Sequence, residues 1–257
     1  MKQTITQYLM VILLVVGAYF LGVYKTKSEM LAKGGVGNTV AQVGQGNQPA
    51  AQPTSIDVEQ IKDKFDGKHI TFGKANADLI FTEVSDPSCP FCHMAAGLNK
   101  ELASTSTQFK LVEDGGTYVA PVREIKKLID EGKASFLFLY SNGHGNGEVA
   151  TQALYCAYDQ DKFWEAHDIF MSGAGYDLIN DVVKNDMSKS NQLVALVDKV
   201  LDGKKLQSCL EKGTYAKQPA EDQAFVQSLG FGATPTFFVN DKVVEGAQPW
   251  SAFESLL

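Results

Sequence analysis

The sequence LIFTEVSDPSCPFC, residues 79–92, decides how this chain folds. Its apolar first half, residues 79–84, predicts a buried strand, and residues 94–102 predict the helix that follows. Two thiols with two residues between them, Cys89 and Cys92, predict a redox centre at this strand-to-helix junction. The first sulfur would face unpaired N–H groups and the positive end of the helix dipole, which favour a thiolate over a thiol.

His93 gives the same motif a second meaning. Cys89-x-x-Cys92-His93 is also the attachment pattern for c-type haem, so a c-type haem carrier is the alternative function of another class. A haem site needs an apolar pocket and usually a distal ligand, and the chain has only four histidines. A structural zinc site needs four ligands, and the sequence has no second cysteine pair of this spacing. We therefore favour the redox pair and expect no cofactor and no metal.

The length, composition and net charge of the chain are those of a globular protein. It has 257 residues, 44% of them hydrophobic, which suffices for one or two domains with a real core. The net charge of −7 argues against nucleic acid as a partner. The even number of cysteines, four, leaves Cys156 and Cys209 beside the redox pair.

The N-terminal segment predicts attachment to a membrane. Residues 8–24 are apolar and carry no charge, about the 20 residues that span a bilayer. We predict an uncleaved transmembrane signal anchor at residues 1–25 and a flexible Gly- and Gln-rich linker at residues 26–55. A cleaved signal peptide is the alternative, although the small-x-small cleavage site is poor.

Two signals disagree on the side of the membrane that the domain occupies. Lys25, Lys27 and Lys33 follow the span while Lys2 and the terminal amine precede it, which would place the domain inside. Cysteine usage favours the outside, because disulfides persist outside the cytosol and large domains translocate despite a few charges. We predict a single-pass protein of the bacterial cell membrane with an extracytoplasmic catalytic domain.

Residues 56–257 predict an α/β domain in which helices interrupt a sheet. The predicted strands are residues 69–72, 79–84, 109–112, 134–140, 235–240 and 242–245. The predicted helices are residues 57–65, 94–102, 121–131, 148–158, 163–171, 191–201, 205–211, 221–229 and 249–257. A helical insertion would therefore occupy about residues 141–230. Residues 113–121 have no predicted role.

Three segments of the domain carry a family resemblance. They are EVSDPSCPFC at residues 83–92, ALYCA with KFWEAHD at residues 153–168, and GATPTFFVN at residues 232–240. In this order and spacing they resemble the DsbA-like thiol–disulfide oxidoreductases of the thioredoxin superfamily, in a membrane-anchored bacterial form. The resemblance covers roughly residue 68 to the C-terminus. It implies a thioredoxin fold with an inserted α-helical domain.

The resemblance also implies roles for the residues of the motif. Cys89 would be the exposed nucleophile that forms a mixed disulfide with a client protein, and Cys92 the buried resolving thiol. Pro90 and Phe91 are the inner dipeptide, and Pro90 suits a first helical turn because its missing N–H costs nothing there. His93 would lie in the same turn and tune the thiolate electrostatically.

Two further positions would frame the cysteine pair. Thr234-Pro235 matches the family's cis-proline loop, which faces the sulfurs and holds an extended client strand. Glu83 matches the family's buried acid beneath the cysteines, which relays a proton during exchange. Separately, an even cysteine count in an extracytoplasmic protein favours a structural disulfide between Cys156 and Cys209, with two free buried thiols as the alternative.

The function predicted from this resemblance is disulfide introduction. Exported client proteins with thiols or disulfides would be the substrates, and a membrane redox partner would recycle the cysteine pair. A disulfide reductase or isomerase of the same fold is the alternative, because Phe91 does not settle the direction of electron flow. A tethered binding module without redox activity is a third possibility.

Overall fold

The structure, a computed structural model, describes residues 54–257. The predicted anchor, residues 1–25, and most of the predicted linker lie outside these residues. Within residues 54–257, none of the helices has the length and apolar character needed to span a bilayer.

A five-stranded mixed sheet positions the cysteine pair. Its spatial order is β1-β3-β2-β4-β5, with β2 and β3 parallel and the other neighbours antiparallel. The strands are β1 (Ile70–Phe72), β2 (Ile80–Ser85), β3 (Ser135–Tyr140), β4 (Thr236–Val239) and β5 (Lys242–Glu245). The central strand β2 runs directly toward the cysteines, so the sheet fixes where their helix begins.

Both faces of the sheet are covered, which explains why β3 reads as an almost continuous apolar run and why even the polar residues of β2 are buried. Every residue of these two strands is buried. Side chains alternate between faces, so Phe81, Phe136 and Phe138 join the larger core. Ile80 and Val84 enter the smaller core on the opposite face.

Helices surround the sheet, and most of them lie between β3 and β4. Before β3 are α1 (Val58–Lys62), α2 (Pro90–Ala96), α3 (Lys100–Ser104) and α4 (Pro121–Asp130). Between β3 and β4 are α5 (Glu148–Tyr158), α6 (Phe163–Phe170), α7 (Gly173–Asp177), α8 (Ser190–Val197), α9 (Gly203–Glu211) and α10 (Gln218–Ser228). A π-helical segment, Leu178–Val183, follows α7, and α11 (Ser251–Glu254) follows the sheet. The α/β architecture thus carries an inserted helical region.

A disulfide joins two helices of the inserted region. Cys156 on α5 and Cys209 on α9 are bonded, with their Cα atoms 6.0 Å apart. Cys156 and Cys209 are therefore not the two free thiols of the alternative prediction.

The predicted strand at residues 109–112 is wrong. The segment instead forms 3₁₀ turns at Thr107–Phe109 and Val112–Asp114, with one isolated bridge between Leu111 and Tyr118. Alternate side chains are buried here, which mimics the period of a strand. The backbone hydrogen-bonds mainly within its own loop, so no ladder extends beyond the single bridge.

The helix predicted at residues 94–102 is two helices. The first, α2, starts at Pro90 and ends at Gly97, whose φ is 69°. A side chain at residue 97 would meet the Ala120 Cβ at 2.4 Å, so glycine is required by both its backbone and its neighbour. The chain then restarts as α3, where the Asn99 side chain accepts a hydrogen bond from the Leu102 N–H.

Candidate active site

Cys89 and Cys92 lie at the start of α2, where β2 delivers the chain. Cys89 is the N-cap residue of the helix, and Pro90 occupies its first turn. Both cysteines are free thiols. The Cys89 thiol donates to the Thr234 carbonyl oxygen at an Sγ–O distance of 3.5 Å. Cys89 therefore faces the loop that precedes β4.

The expectation that Cys89 is exposed is wrong. Only 4% of Cys89 is accessible, and Cys92 is fully buried. The sulfurs belong to a small apolar cluster that includes Met171, and the Thr234 loop covers Cys89 from the other side. Phe91, 49% exposed, marks the surface beside the pair. The Cys89 sulfur is therefore largely covered by the loop that contains Thr234.

The surroundings of the two cysteines shift their thiol pKa values in opposite directions. A hydrogen bond from the Cys92 thiol lowers the pKa of Cys89 to about 6, with smaller help from Thr234 and the Phe91 N–H, against the effect of burial. Burial raises the pKa of Cys92 well above its usual value, and the hydrogen bond to Cys89 adds to the rise. These shifts favour a thiolate at Cys89 and a thiol at Cys92 at neutral pH. Thiol–disulfide exchange needs one such thiolate, because the thiolate is the attacking form.

The loop before β4 contains the proline predicted to face the cysteines. The Thr234–Pro235 peptide bond is cis. Gly143 lies against this loop so closely that a Cβ there would come within 1.8 Å of the Thr234 Oγ1. The loop is therefore held between Cys89 on one side and the segment after β3 on the other.

Asp86 is a buried site residue that the sequence interpretation missed. Its carboxylate accepts four hydrogen bonds: from the Ser88 N–H at 2.8 Å, the Ser88 hydroxyl at 2.7 Å, and the N–H groups of Gly143 and His144 at 2.9 Å each. It thereby ties the glycine-rich loop after β3 to the turn that carries Cys89. Asp-Pro-Ser signals a local turn, but nothing in the sequence shows that the turn holds a loop 57 residues away.

His93 is buried and does not act through a charge. Its Nδ1 lies 2.9 Å from the Met171 carbonyl oxygen and its Nε2 lies 2.8 Å from the Pro87 carbonyl oxygen. Burial lowers the pKa of His93 to about 4, so the ring is neutral at pH 7. The predicted electrostatic tuning of the thiolate is therefore replaced by a packing role. Because carbonyl oxygens flank both nitrogens inside the core, the ring does not fit the part of a haem ligand.

Glu83 lies in the middle of β2, the strand that leads to the cysteines. Its side chain is completely buried, and the register places it between Phe138 of β3 and Phe237 of β4. Neither carboxyl oxygen has a hydrogen-bond partner in the described part of the chain. Burial raises the pKa of Glu83, which favours its protonated form. The carboxyl is thus suited to holding a proton in an apolar setting.

Two comparisons relate this architecture to known sequences. A family described as Thioredoxin matches residues 120–257, which include Pro235 but not the cysteine pair. Disulfide bond formation protein D of Bacillus subtilis (strain 168) is 25% identical over 180 residues, which cover 67% of this chain and 68% of that protein.

Solved structures share the fold. The oxidised crystal structure of BdbD from Bacillus subtilis has a TM-score of 0.55 at 21% identity, covering 80% of this chain and 95% of that one. DsbA from Chlamydia trachomatis has a TM-score of 0.51 at 20% identity, covering 82% and 95%. The protein alpha-DsbA2 from Wolbachia pipientis has a TM-score of 0.53 at 20% identity, covering 78% and 91%. The α/β sheet with inserted helices is therefore a thioredoxin fold of the kind found in DsbA structures.

Proposed function

Because the chain belongs to the thioredoxin family and is a DsbA-like thiol–disulfide oxidoreductase, we propose that it introduces disulfides into exported proteins. The observation that carries the direction is the low pKa of Cys89, about 6, beside a Cys92 thiol whose pKa is raised. A stabilised thiolate stabilises the reduced pair, so the corresponding disulfide is a stronger oxidant. A reductase of the thioredoxin kind has a less stable reduced form.

The exchange then proceeds in two displacements. A client thiolate attacks the Cys89 sulfur of the Cys89–Cys92 disulfide, and Cys92 leaves as a thiolate that takes a proton from Glu83. A second client thiolate attacks the client sulfur of the mixed disulfide, and Cys89 leaves as a thiolate that its surroundings stabilise. The client loses two electrons and gains a disulfide, while the cysteine pair is reduced.

The remaining site residues position these sulfurs and the client. Thr234 and Pro235 hold an extended client strand beside Cys89, and their loop already contacts that sulfur. Pro90 starts the helix that carries both cysteines, and exposed Phe91 offers an apolar contact at the rim. His93 packs the helix against the Pro87 and Met171 carbonyls.

The compartment and partners follow from the same chemistry. A disulfide between Cys156 and Cys209 suits an extracytoplasmic domain, since such bonds persist in oxidising compartments. In this proposal residues 1–25 anchor the protein in the bacterial membrane, residues 26–55 form a tether, and residues 56–257 form the catalytic domain. A membrane redox partner reoxidises the pair after each client.

The direction of electron flow is tested by mixing the oxidised full-length protein with a reduced, unfolded client such as reduced ribonuclease. We expect the client to gain disulfides while Cys89 and Cys92 become alkylatable, both followed by mass spectrometry after acid quenching. If the oxidised protein leaves the client unchanged while the reduced protein opens native client disulfides, the protein is a reductase and the proposal fails.

A further inference from the structure

The segment between α3 and α4, residues 107–120, is a loop for much of which the sequence predicted no role. We call it the 107–120 loop. Its backbone closes on itself, because the Tyr118 N–H donates to the Lys110 carbonyl oxygen at 3.0 Å and the Gly116 N–H to the Leu111 carbonyl oxygen at 2.8 Å. A Cβ at Gly116 would collide with the Lys110 carbonyl oxygen, so this close approach requires glycine. The loop therefore has one defined shape.

The 107–120 loop is joined to both ends of α2, the helix that carries the cysteines. At the start of α2, the Phe91 ring lies 6.0 Å from the Phe109 ring of the loop, with the two planes at 65°, an edge-to-face arrangement. At the end of α2, the guanidinium of Arg123 donates to the Gly97 carbonyl oxygen and also pairs with Glu113 of the loop. The loop and the cysteine helix therefore hold each other in place.

The same loop reaches the segment that contacts the cis-proline. The Phe109 ring lies 5.4 Å from the Tyr118 ring, with the planes at 81°. The Tyr118 hydroxyl donates to the Ala247 carbonyl oxygen at 3.3 Å, and the neighbouring Gly246 N–H donates to the Pro235 carbonyl oxygen at 2.8 Å. A continuous chain of contacts thus runs from the inner dipeptide, through the loop, to the cis-proline.

Phe91 stays half exposed in this arrangement, although its ring is held. It is the aromatic member of the few large apolar side chains that are exposed within residues 54–257. Phe109 and Tyr118, which support it, are both buried. An aromatic ring that is already held in one position loses little side-chain entropy when another group packs on it. Phe91 is therefore a preorganised apolar surface two residues from Cys89.

Both acidic residues of the 107–120 loop are paired with basic residues of neighbouring helices. Glu113 pairs with Arg123 of α4, and Asp114 lies 3.2 Å from the Lys100 ammonium of α3. These pairs hold the loop, and they leave it no unpaired carboxylate with which to attract a basic client. Recognition at this place therefore depends on apolar contact.

We propose that the 107–120 loop makes Phe91 a rigid platform that selects clients with a bulky apolar side chain two residues from their cysteine. The inference rests on the function proposed above, in which Thr234 and Pro235 hold an extended client strand beside Cys89. In a strand, side chains two residues apart point to the same side and lie about 7 Å from each other. When the client cysteine points to Cys89, those side chains point to the same surface. Phe91 lies in the same helical turn and within reach of one of them.

The test compares two synthetic peptides that differ only in the side chains that would meet the platform. Each has one cysteine, with leucine or serine at both positions two residues from it. A peptide thiolate attacks the Cys89 sulfur of the oxidised full-length protein, and a second peptide thiolate then attacks the peptide sulfur of the mixed disulfide. Two peptides become one peptide disulfide, and the Cys89–Cys92 pair is reduced. Acid quenching, alkylation and mass spectrometry follow the reaction over a range of peptide concentrations.

We expect the leucine peptide to reach half of its maximal rate at about a 10-fold lower concentration than the serine peptide. The maximal rates should be equal, because the platform contributes binding and not chemistry.

Two variants and a control locate this preference. Phe91→Ser removes the platform and Phe109→Leu removes its support, so the preference should fall to about 2-fold or less in both. A change in reduction potential affects both peptides equally, so it leaves the ratio unchanged. Phe72→Leu removes another edge-to-face contact, with the Tyr158 ring at 5.7 Å, on the edge strand β1, and should keep the full preference. Reduction by glutathione, which has no bulky apolar side chain, should be equally fast in the parent protein and in Phe109→Leu.

Several outcomes would overturn the inference. The parent protein shows no preference, or the preference survives in Phe91→Ser or Phe109→Leu, or Phe72→Leu loses it equally. A parent protein that sediments as a dimer in detergent, while Phe91→Ser sediments as a monomer, would show that a second copy covers the ring instead of a client. A different result would reject the proposed function: neither peptide reduces the Cys89–Cys92 disulfide of the parent protein.

Discussion

Replacing Cys89 with serine should reduce thiol–disulfide exchange to the uncatalysed rate. Cys89 is the only member of the pair whose surroundings lower its thiol pKa, to about 6, and the thiolate is the attacking form. Serine keeps the side-chain size but its hydroxyl is not ionised at neutral pH. Oxidation of reduced ribonuclease should be lost, while urea denaturation should show a folded protein.

The partner variant distinguishes the two cysteines. Cys92→Ser leaves the Cys89 nucleophile but removes the thiol that resolves the mixed disulfide. Incubation with a client that contains disulfides should accumulate a covalent adduct through Cys89, visible on non-reducing gels and lost on reduction. Exchange that survives in Cys89→Ser, or an adduct that the Cys89→Ser variant forms through Cys92, would show that Cys89 is not the nucleophile.

Removing the second disulfide should cost about 4 kcal/mol of unfolding free energy in the chain-entropy relation, because the bond joins residues 53 apart. The expected change for Cys156→Ala/Cys209→Ala is a lower urea midpoint, measured by circular dichroism on the full chain. The bond links α5 to α9, so the unfolded chain without it gains the freedom of the whole intervening segment.

A neighbouring substitution controls for disturbance of the helix. Ser208→Ala lies beside Cys209 on α9 and should change the unfolding free energy by less than about 0.5 kcal/mol. A loss below about 1 kcal/mol in the double cysteine variant would mean that the loop is already restrained by helix packing and that the bond contributes little.

The helices and strands of this fold could be predicted from the sequence wherever apolar residues recur with a clear period. The apolar run at residues 79–84 became β2, and residues 148–158 became α5 with the same bounds. Residues 109–112 were not predictable, because alternate burial also arises in a loop that packs against a core. A strand needs a neighbour to pair with, and a single sequence does not show which segments become neighbours.

The residues of the candidate site were likewise predictable only where a short local motif contains them. Cys89, Cys92 and Pro235 stand in short local motifs, so their positions followed from the sequence. Asp86 did not, because a partner of its carboxylate lies far along the chain: Asp86 accepts a hydrogen bond from the Gly143 N–H. The burial of Cys89 was equally invisible, since it depends on the loop of Thr234 folding over the sulfur.

The central claim is that the environment of Cys89 makes the Cys89–Cys92 disulfide an oxidant. The most direct test is the reduction potential of that pair, measured on the full-length protein by equilibration with glutathione buffers and alkylation. A Cys89 thiolate with a pKa of about 6 predicts a potential less negative than thioredoxin's value of about −270 mV. A potential equal to or more negative than about −270 mV would contradict the account.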